Sequence, residues 1–154
     1  MKRKYVISAI AAVVVAPAVV WMWFGDPLLA YRAGQLRAAV RSISETEVTL
    51  NEVVPFDWDT VYTFAPYTSR EEIEGVIGFR SNAVKETVSE GMVQLLFING
   101  DAVIASVCAY ADALGYRIDF PGCITYDEKA VFTVNHKEGI VQIALKQFAA
   151  RQIA

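Results

Sequence analysis

From Val6 to Phe24 the chain carries no charge, and Ser8 is its one mildly polar position. As a helix this run extends about 28 Å, close to the ~30 Å hydrocarbon core of a bilayer. Beyond it the pattern changes period. Leu29, Ala33, Leu36, Val40 and Ile43 recur at three- and four-residue steps, the stripe of an amphipathic helix. Asp26-Pro27 supplies its start, a side-chain acceptor followed by proline at the first helical position. From Glu45 onward the spacing shortens towards two. Glu47–Val54 alternates loosely and predicts a strand; Asp59–Ala65, with Val61, Tyr62 and Phe64, predicts a second, closed by Pro66.

Ser69 stands three residues before Glu72, a capping box, and Ile73, Val76 and Ile77 draw one apolar face before Gly78. This predicts a short helix over 69–78. Arg80–Gly91 reads as a loop or a frayed helix. Met92–Ile98 and Ala102–Tyr110 flank Asn99-Gly100, the dipeptide suited to a type I′ hairpin turn. Tyr116–Phe120 is a weaker strand. Lys129–Val134 and Ile140–Leu145 form another hairpin across the polar loop Asn135–Gly139, and the tail 146–154 suits a closing helical turn. A strand pair, a helix and successive hairpins predict an α+β fold, a small largely antiparallel sheet with one capped helix on a face.

The N-terminal run follows Lys2-Arg3-Lys4, which suits either a cleaved signal or a permanent anchor. Ala16-Pro17-Ala18 has the small-x-small spacing of a cleavage site, but Val19 to Phe24 beyond it is still apolar. Trp21, Trp23 and Phe24 stand where an aromatic belt meets the far headgroups. The run is read as an uncleaved single-pass anchor. The basic N-terminus places it in the cytoplasm and the rest of the chain in the periplasm or cell exterior. Three parts follow: an anchor at 1–25, a juxtamembrane amphipathic helix at 26–44, and an exported domain at 45–154. The helix lies on the headgroups, with Arg32, Arg37 and Arg41 on phosphates, or packs on the domain, or forms a stalk. The domain is expected to fold without it.

Charge narrows the partners. Residues 1–41 hold six Lys/Arg and one Asp, whereas 42–154 hold eight basic and sixteen acidic side chains, within a chain of net charge −3. A domain at −8 has no electrostatic footprint for nucleic acid.

Phe56-Asp57-Trp58-Asp59, then Tyr62-Thr63-Phe64-Ala65-Pro66-Tyr67, leads directly into Thr68-Ser69 and the capped helix. Over 47–78 this resembles a stretch of small secreted or lipid-anchored bacterial proteins of unknown function. In these, Phe-x-Trp-Asp and Tyr-x-Phe-x-Pro-Tyr precede a similar helix. The chain departs from them in having no cysteine after the apolar run to take a lipid. The resemblance implies an exported location and carries no activity.

In an extended chain Phe56, Trp58, Tyr62 and Phe64 share one face, and Asp57, Asp59, Val61 and Thr63 the other. Trp58, Tyr62, Phe64, Tyr67, Asp57 and Asp59 are thus candidate binding residues, an aromatic wall with two carboxylates. The plainer use of such a wall is sheet core. A hydrolase using Asp57 and Asp59 needs two carboxylates on opposite sides of a bond, which residues two apart on one strand serve poorly. His136 is the sole histidine, no nucleophile motif accompanies it, and one His with two distant Cys does not make a zinc site. No catalytic residue, metal or cofactor is assigned. The reading is a non-enzymatic accessory or interaction protein of the bacterial envelope with a protein partner; the alternative is an inhibitor or immunity-type protein that neutralises an exported toxin. An oxidising compartment adds a disulfide between Cys108 and Cys123 to the expectations, against two small apolar residues in a sheet.

Overall fold

The structure is a computed structural model that describes residues 26–146. Among these no helix is long and apolar enough to cross a membrane. The Val6–Phe24 run and most of the tail expected to form a helical turn lie outside the described residues. Among the described residues the fold is α+β, with eight strands in two four-stranded sheets. The first holds β1 (Glu47–Thr49), β7 (Val131–Lys137), β8 (Ile140–Leu145) and β5 (Tyr116–Asp119) in that order; β5 lies parallel to β8 and the other pairs are antiparallel. The second is antiparallel throughout, in the order β4 (Ala102–Tyr110), β3 (Met92–Asn99), β2 (Thr60–Tyr62), β6 (Cys123–Thr125).

The expected single sheet is two because β5 does not fold back on β4. A one-turn helix, α4 (Ala111–Leu114), ends at Gly115 with φ +77° and carries the chain across to β8. Both sheets feed one core. Val93, Leu95 and Phe97 from β3 meet Phe132, Val134, Val141 and Ile143 from the β7–β8 hairpin. The alternate β3 residues Leu96 and Ile98 face the other way, into a smaller cluster with Ile73 and Val84. Covered on both faces, β3 reads as a nearly continuous apolar run, interrupted by the buried Gln94, instead of an alternation.

Helix α1 (Pro27–Arg41) starts as its sequence predicts, the Asp26 carboxylate accepting from the Leu28 N–H at 2.8 Å with Pro27 first in the helix. Of the placements open to this helix, the structure shows the packed one. Leu36 and Val40 are fully buried in the main core, and Ile43 follows them. The helix thus shares the core of the domain that was expected to fold without it. A second tie fixes it. Phe97 pairs with Ala105 and Ile98 with Val103, so Ile104 is the extra residue of a β-bulge; Arg32 Nη1 donates to its carbonyl at 3.0 Å. A bulge removes one residue from the ladder, and the arginine supplies the missing donor.

Helix α3 (Arg70–Ile77) covers the outer face of the second sheet, and its capping box forms. Glu72 Oε2 accepts from the Ser69 N–H at 2.9 Å, the Ser69 hydroxyl caps the Glu72 N–H, and Gly78 closes at φ +85°. Two turns differ from expectation. The β3–β4 loop is Gly100-Asp101, with Gly100 alone at positive φ, the pattern of a type II′ turn. The β7–β8 loop is not five residues but two: Glu138 and Gly139, both at positive φ, make the type I′ turn, and His136 lies within β7 opposite Val141. The predicted strand over 47–54 breaks after Thr49 into a single turn, α2 (Leu50–Val53).

The expected disulfide is absent: Cys108 and Cys123 are free. They occupy the two outermost strands of the second sheet, β4 and β6, with β3 and β2 between them. Three strand spacings put about 14 Å between them. A disulfide tolerates no more than about 7 Å between Cα atoms.

Candidate functional site

Residues 56–67 do not form a common aromatic wall. Trp58 is 3% exposed and belongs to the main core. Its ring meets Phe97 edge-on at 6.0 Å and Tyr126 at 5.3 Å, while Phe56 meets Phe97 at 5.4 Å. Tyr62 and Phe64 face the opposite way, stacked on each other at 6.0 Å and packed on the outer cluster that α3 covers. The split has a local cause. The chain bends at Asp59 and enters the sheet only at Thr60, so the two-residue alternation is reset between Trp58 and Val61.

The carboxylates separate as well. Asp59 Oδ2 accepts from the Gly100 N–H at 2.6 Å, its own N–H donates to the Ile98 carbonyl, and its carbonyl accepts from the Tyr126 N–H. It fastens the β3–β4 turn to the start of β2 and to the 3₁₀ turn Tyr126–Glu128. Asp57 is exposed. Tyr67 is 65% exposed and sits at φ +66°, a conformation that costs a bulky residue about 1 kcal/mol or more. Its N–H is held by the Thr87 carbonyl at 2.9 Å. The six candidates thus divide among core, outer cluster, turn and solvent.

Two open depressions lie elsewhere. The larger, about 920 Å³, runs between α3 and the segment 78–86. Its polar groups bind the segment to the helix: Arg70 Nη2 donates to the Val84 carbonyl at 2.9 Å, Glu86 accepts from the Arg70 N–H at 2.7 Å, and Glu74 accepts from the Ser81 N–H at 3.0 Å. The smaller, about 470 Å³, is lined by Glu45, Glu47 and Glu52 with Ile43, Val48 and Val53. Lys146 pairs with Glu47 at its rim, at 2.8 Å. Backbone N–H bonds, from Glu45 and Ser44 to Glu45 and from Thr49 to Glu52, hold both carboxyls below their ordinary range.

Comparison with family models, with curated proteins and with solved structures gives no match. The site is read from its own geometry. No group of three or more His, Cys, Asp or Glu among the described residues is placed to hold a metal. Cys108 is half-buried, and burial raises its thiol pKa against the opposing charge of Lys85. Neither depression is a closed pocket; each is an open trough.

Sequence reasoning passed over three features. Thr49-x-x-Glu52 and Thr125-x-x-Glu128 repeat the capping-box spacing that Ser69-x-x-Glu72 displays, and both boxes form. The glutamate trough left no sequence signal beyond acidity, because its walls come from the end of α1, β1 and α2. The tie between Arg32 and Ile104 joins residues 72 apart and rests on a bulge that no local pattern marks.

Proposed function

We propose that this protein is a membrane-anchored, non-enzymatic accessory or interaction protein of the bacterial envelope, its folded domain facing the periplasm or cell exterior. One observation carries the reading. The uncharged Val6–Phe24 run, preceded by Lys2-Arg3-Lys4, ends two residues before the cap of a folded helix. A run of that length and flank suits a span. The use of Asp59 as a turn tie favours binding over hydrolysis by an Asp57–Asp59 pair, since that carboxylate already holds a backbone N–H.

The full chain in spheroplast membranes is the test. It should stay in the pellet after carbonate washing, and exposed Cys123 should react with a membrane-impermeant maleimide as fully before lysis as after. A soluble product starting near Val19, or labelling only after lysis, overturns the reading. A second reading, an immunity-type inhibitor, draws on the trough of Glu45, Glu47 and Glu52, a complement for a basic enzyme. A toxin gene beside this one, with salt-sensitive binding of its product, would favour that version; a cell-wall or secretion operon favours the accessory role.

A further inference from the structure

We propose that the outward face of α1 is a membrane-docking surface. It lies on the anionic headgroups of the leaflet from which the Val6–Phe24 run emerges, and it fixes the orientation of the domain. The proposal rests on the anchored reading above. The helix has two faces with different chemistry. One buries Leu36 and Val40 in the core. The other leaves Leu28 50% and Tyr31 63% exposed in the first two turns, followed by exposed Gly34 and Ala38.

Chain length fixes what this face meets. Four residues separate Phe24 from Leu28, so Leu28 stays within about 14 Å of the end of the apolar run. Tyr31 has the form of an interfacial anchor: its ring is exposed, and its hydroxyl accepts from Gln35 Nε2 at 3.1 Å.

Charge selects the lipid. Between Pro27 and Ser44 there are three arginines and no acidic residue, whereas the described residues outside α1 hold 17 acidic and 7 basic side chains. Arg32 is turned inward to the Ile104 carbonyl; Arg37 and Arg41, which run beside Tyr116 and Gly115, remain exposed for phosphates. The β3–β4 tip, three residues before the Ile104 carbonyl that holds Arg32, carries Asp101, with Asp59 bonded to Gly100, and it is repelled by anionic headgroups. The side of the helix therefore lies down and the tip does not. The lipid and the packed placements raised by the sequence are then compatible, one face on protein and the other on lipid.

The test uses the full chain carrying Cys108→Ala and Cys123→Ser, with one probe thiol introduced by Tyr31→Cys, Ala38→Cys or, on α3, Val76→Cys. Each is placed in vesicles of phosphatidylcholine alone or mixed with phosphatidylglycerol, and labelled with a polar maleimide. Positions 31 and 38 should react about 30-fold more slowly in the anionic vesicles, with position 76 unchanged, as two arginines near a charged surface imply. Adding Arg37→Glu should restore much of the rate. Equal rates at 31, 38 and 76 in chain that survives carbonate washing overturn the docking face and leave the anchor standing. Release by carbonate overturns the anchor, and the docking face with it. Protection of equal size in neutral vesicles overturns the role of the arginines. Protection that scales with the protein-to-lipid ratio assigns the face to a second copy and overturns the lipid.

Discussion

At the scale of single residues, Asp59 and Asp57 invite one functional idea and receive opposite environments. Asp59 joins three segments through its carboxylate, N–H and carbonyl, whereas Asp57 makes no hydrogen bond among the described residues. A carboxylate on a backbone N–H at a tight turn contributes about 1–2 kcal/mol. Asp59→Ala should lower the unfolding free energy read from a urea titration by that amount, while Asp57→Ala should stay within about 0.5 kcal/mol of wild type. Asp59→Asn should fall between, because its amide oxygen still accepts. Equal losses at both positions would contradict the turn tie. The sequence made Trp58 and Phe64 neighbours on one face, and the structure puts them on opposite sides of a sheet. The alternation was legible from Thr60 on; the bend that resets it at Asp59 depends on a bond to Gly100, 41 residues away.

Among elements, three turns share one device. Glu52, Glu72 and Glu128 each reach back to the backbone N–H and hydroxyl of a Thr or Ser three residues earlier, at Thr49, Ser69 and Thr125. Those bonds, the backbone N–H first, hold all three carboxyls below their ordinary value of 4.5. A carboxyl with a lowered folded-state pKa binds its proton more readily in the unfolded chain, so stability is complete above the unfolded value and drains away as pH falls below it. The urea midpoint should be flat from neutral pH to about 4.5 and drop beneath that. Glu→Gln at positions 52, 72 and 128 together should shrink the drop; an unchanged acid limb would exclude the caps as its cause. The alkaline side has a separate source. Burial, opposed in part by Arg37, pushes the Tyr116 hydroxyl up to about 12 from 10, so stability should decline as pH rises beyond 10. Only the Ser69 box was legible beforehand, because an apolar helical face follows it. Thr49-x-x-Glu52 is embedded in strand-like alternation, and the turn at Thr125 is too short to show a period. The strand strings of both hairpins were readable, but the turns were not: Asn99-Gly100 promised a type I′ turn that Glu138-Gly139 makes instead. Register across two sheets decided that, and dipeptide chemistry did not.

For the whole molecule, the decisive question is where folding begins along the chain. An amphipathic stripe from Leu29 to Ile43 reads the same whether it lies on lipid or on a sheet, so its place in the core was not legible. The structure makes it part of the fold. Fully burying a leucine or valine contributes about 1.5–3 kcal/mol, and deleting a buried leucine side chain costs about 2–5 kcal/mol once the cavity is counted. Leu36→Ala alone should therefore remove much of the 5–15 kcal/mol typical of a small domain. A chain beginning at Ile43 loses Leu36 and Val40 together, strips the cover from their partners in the core, and leaves the Ile104 bulge carbonyl without Arg32. It should aggregate or unfold without cooperativity. A chain beginning at Gly25 keeps the Asp26 cap and all of α1, and should unfold in one urea transition with native circular dichroism. Equal midpoints for the two chains would mean that α1 rides on the domain without stabilising it. Its buried face, the Arg32 tie and the orientation inferred for its outer face would then all lose their footing, because a helix not held by the core cannot set how the domain meets a membrane.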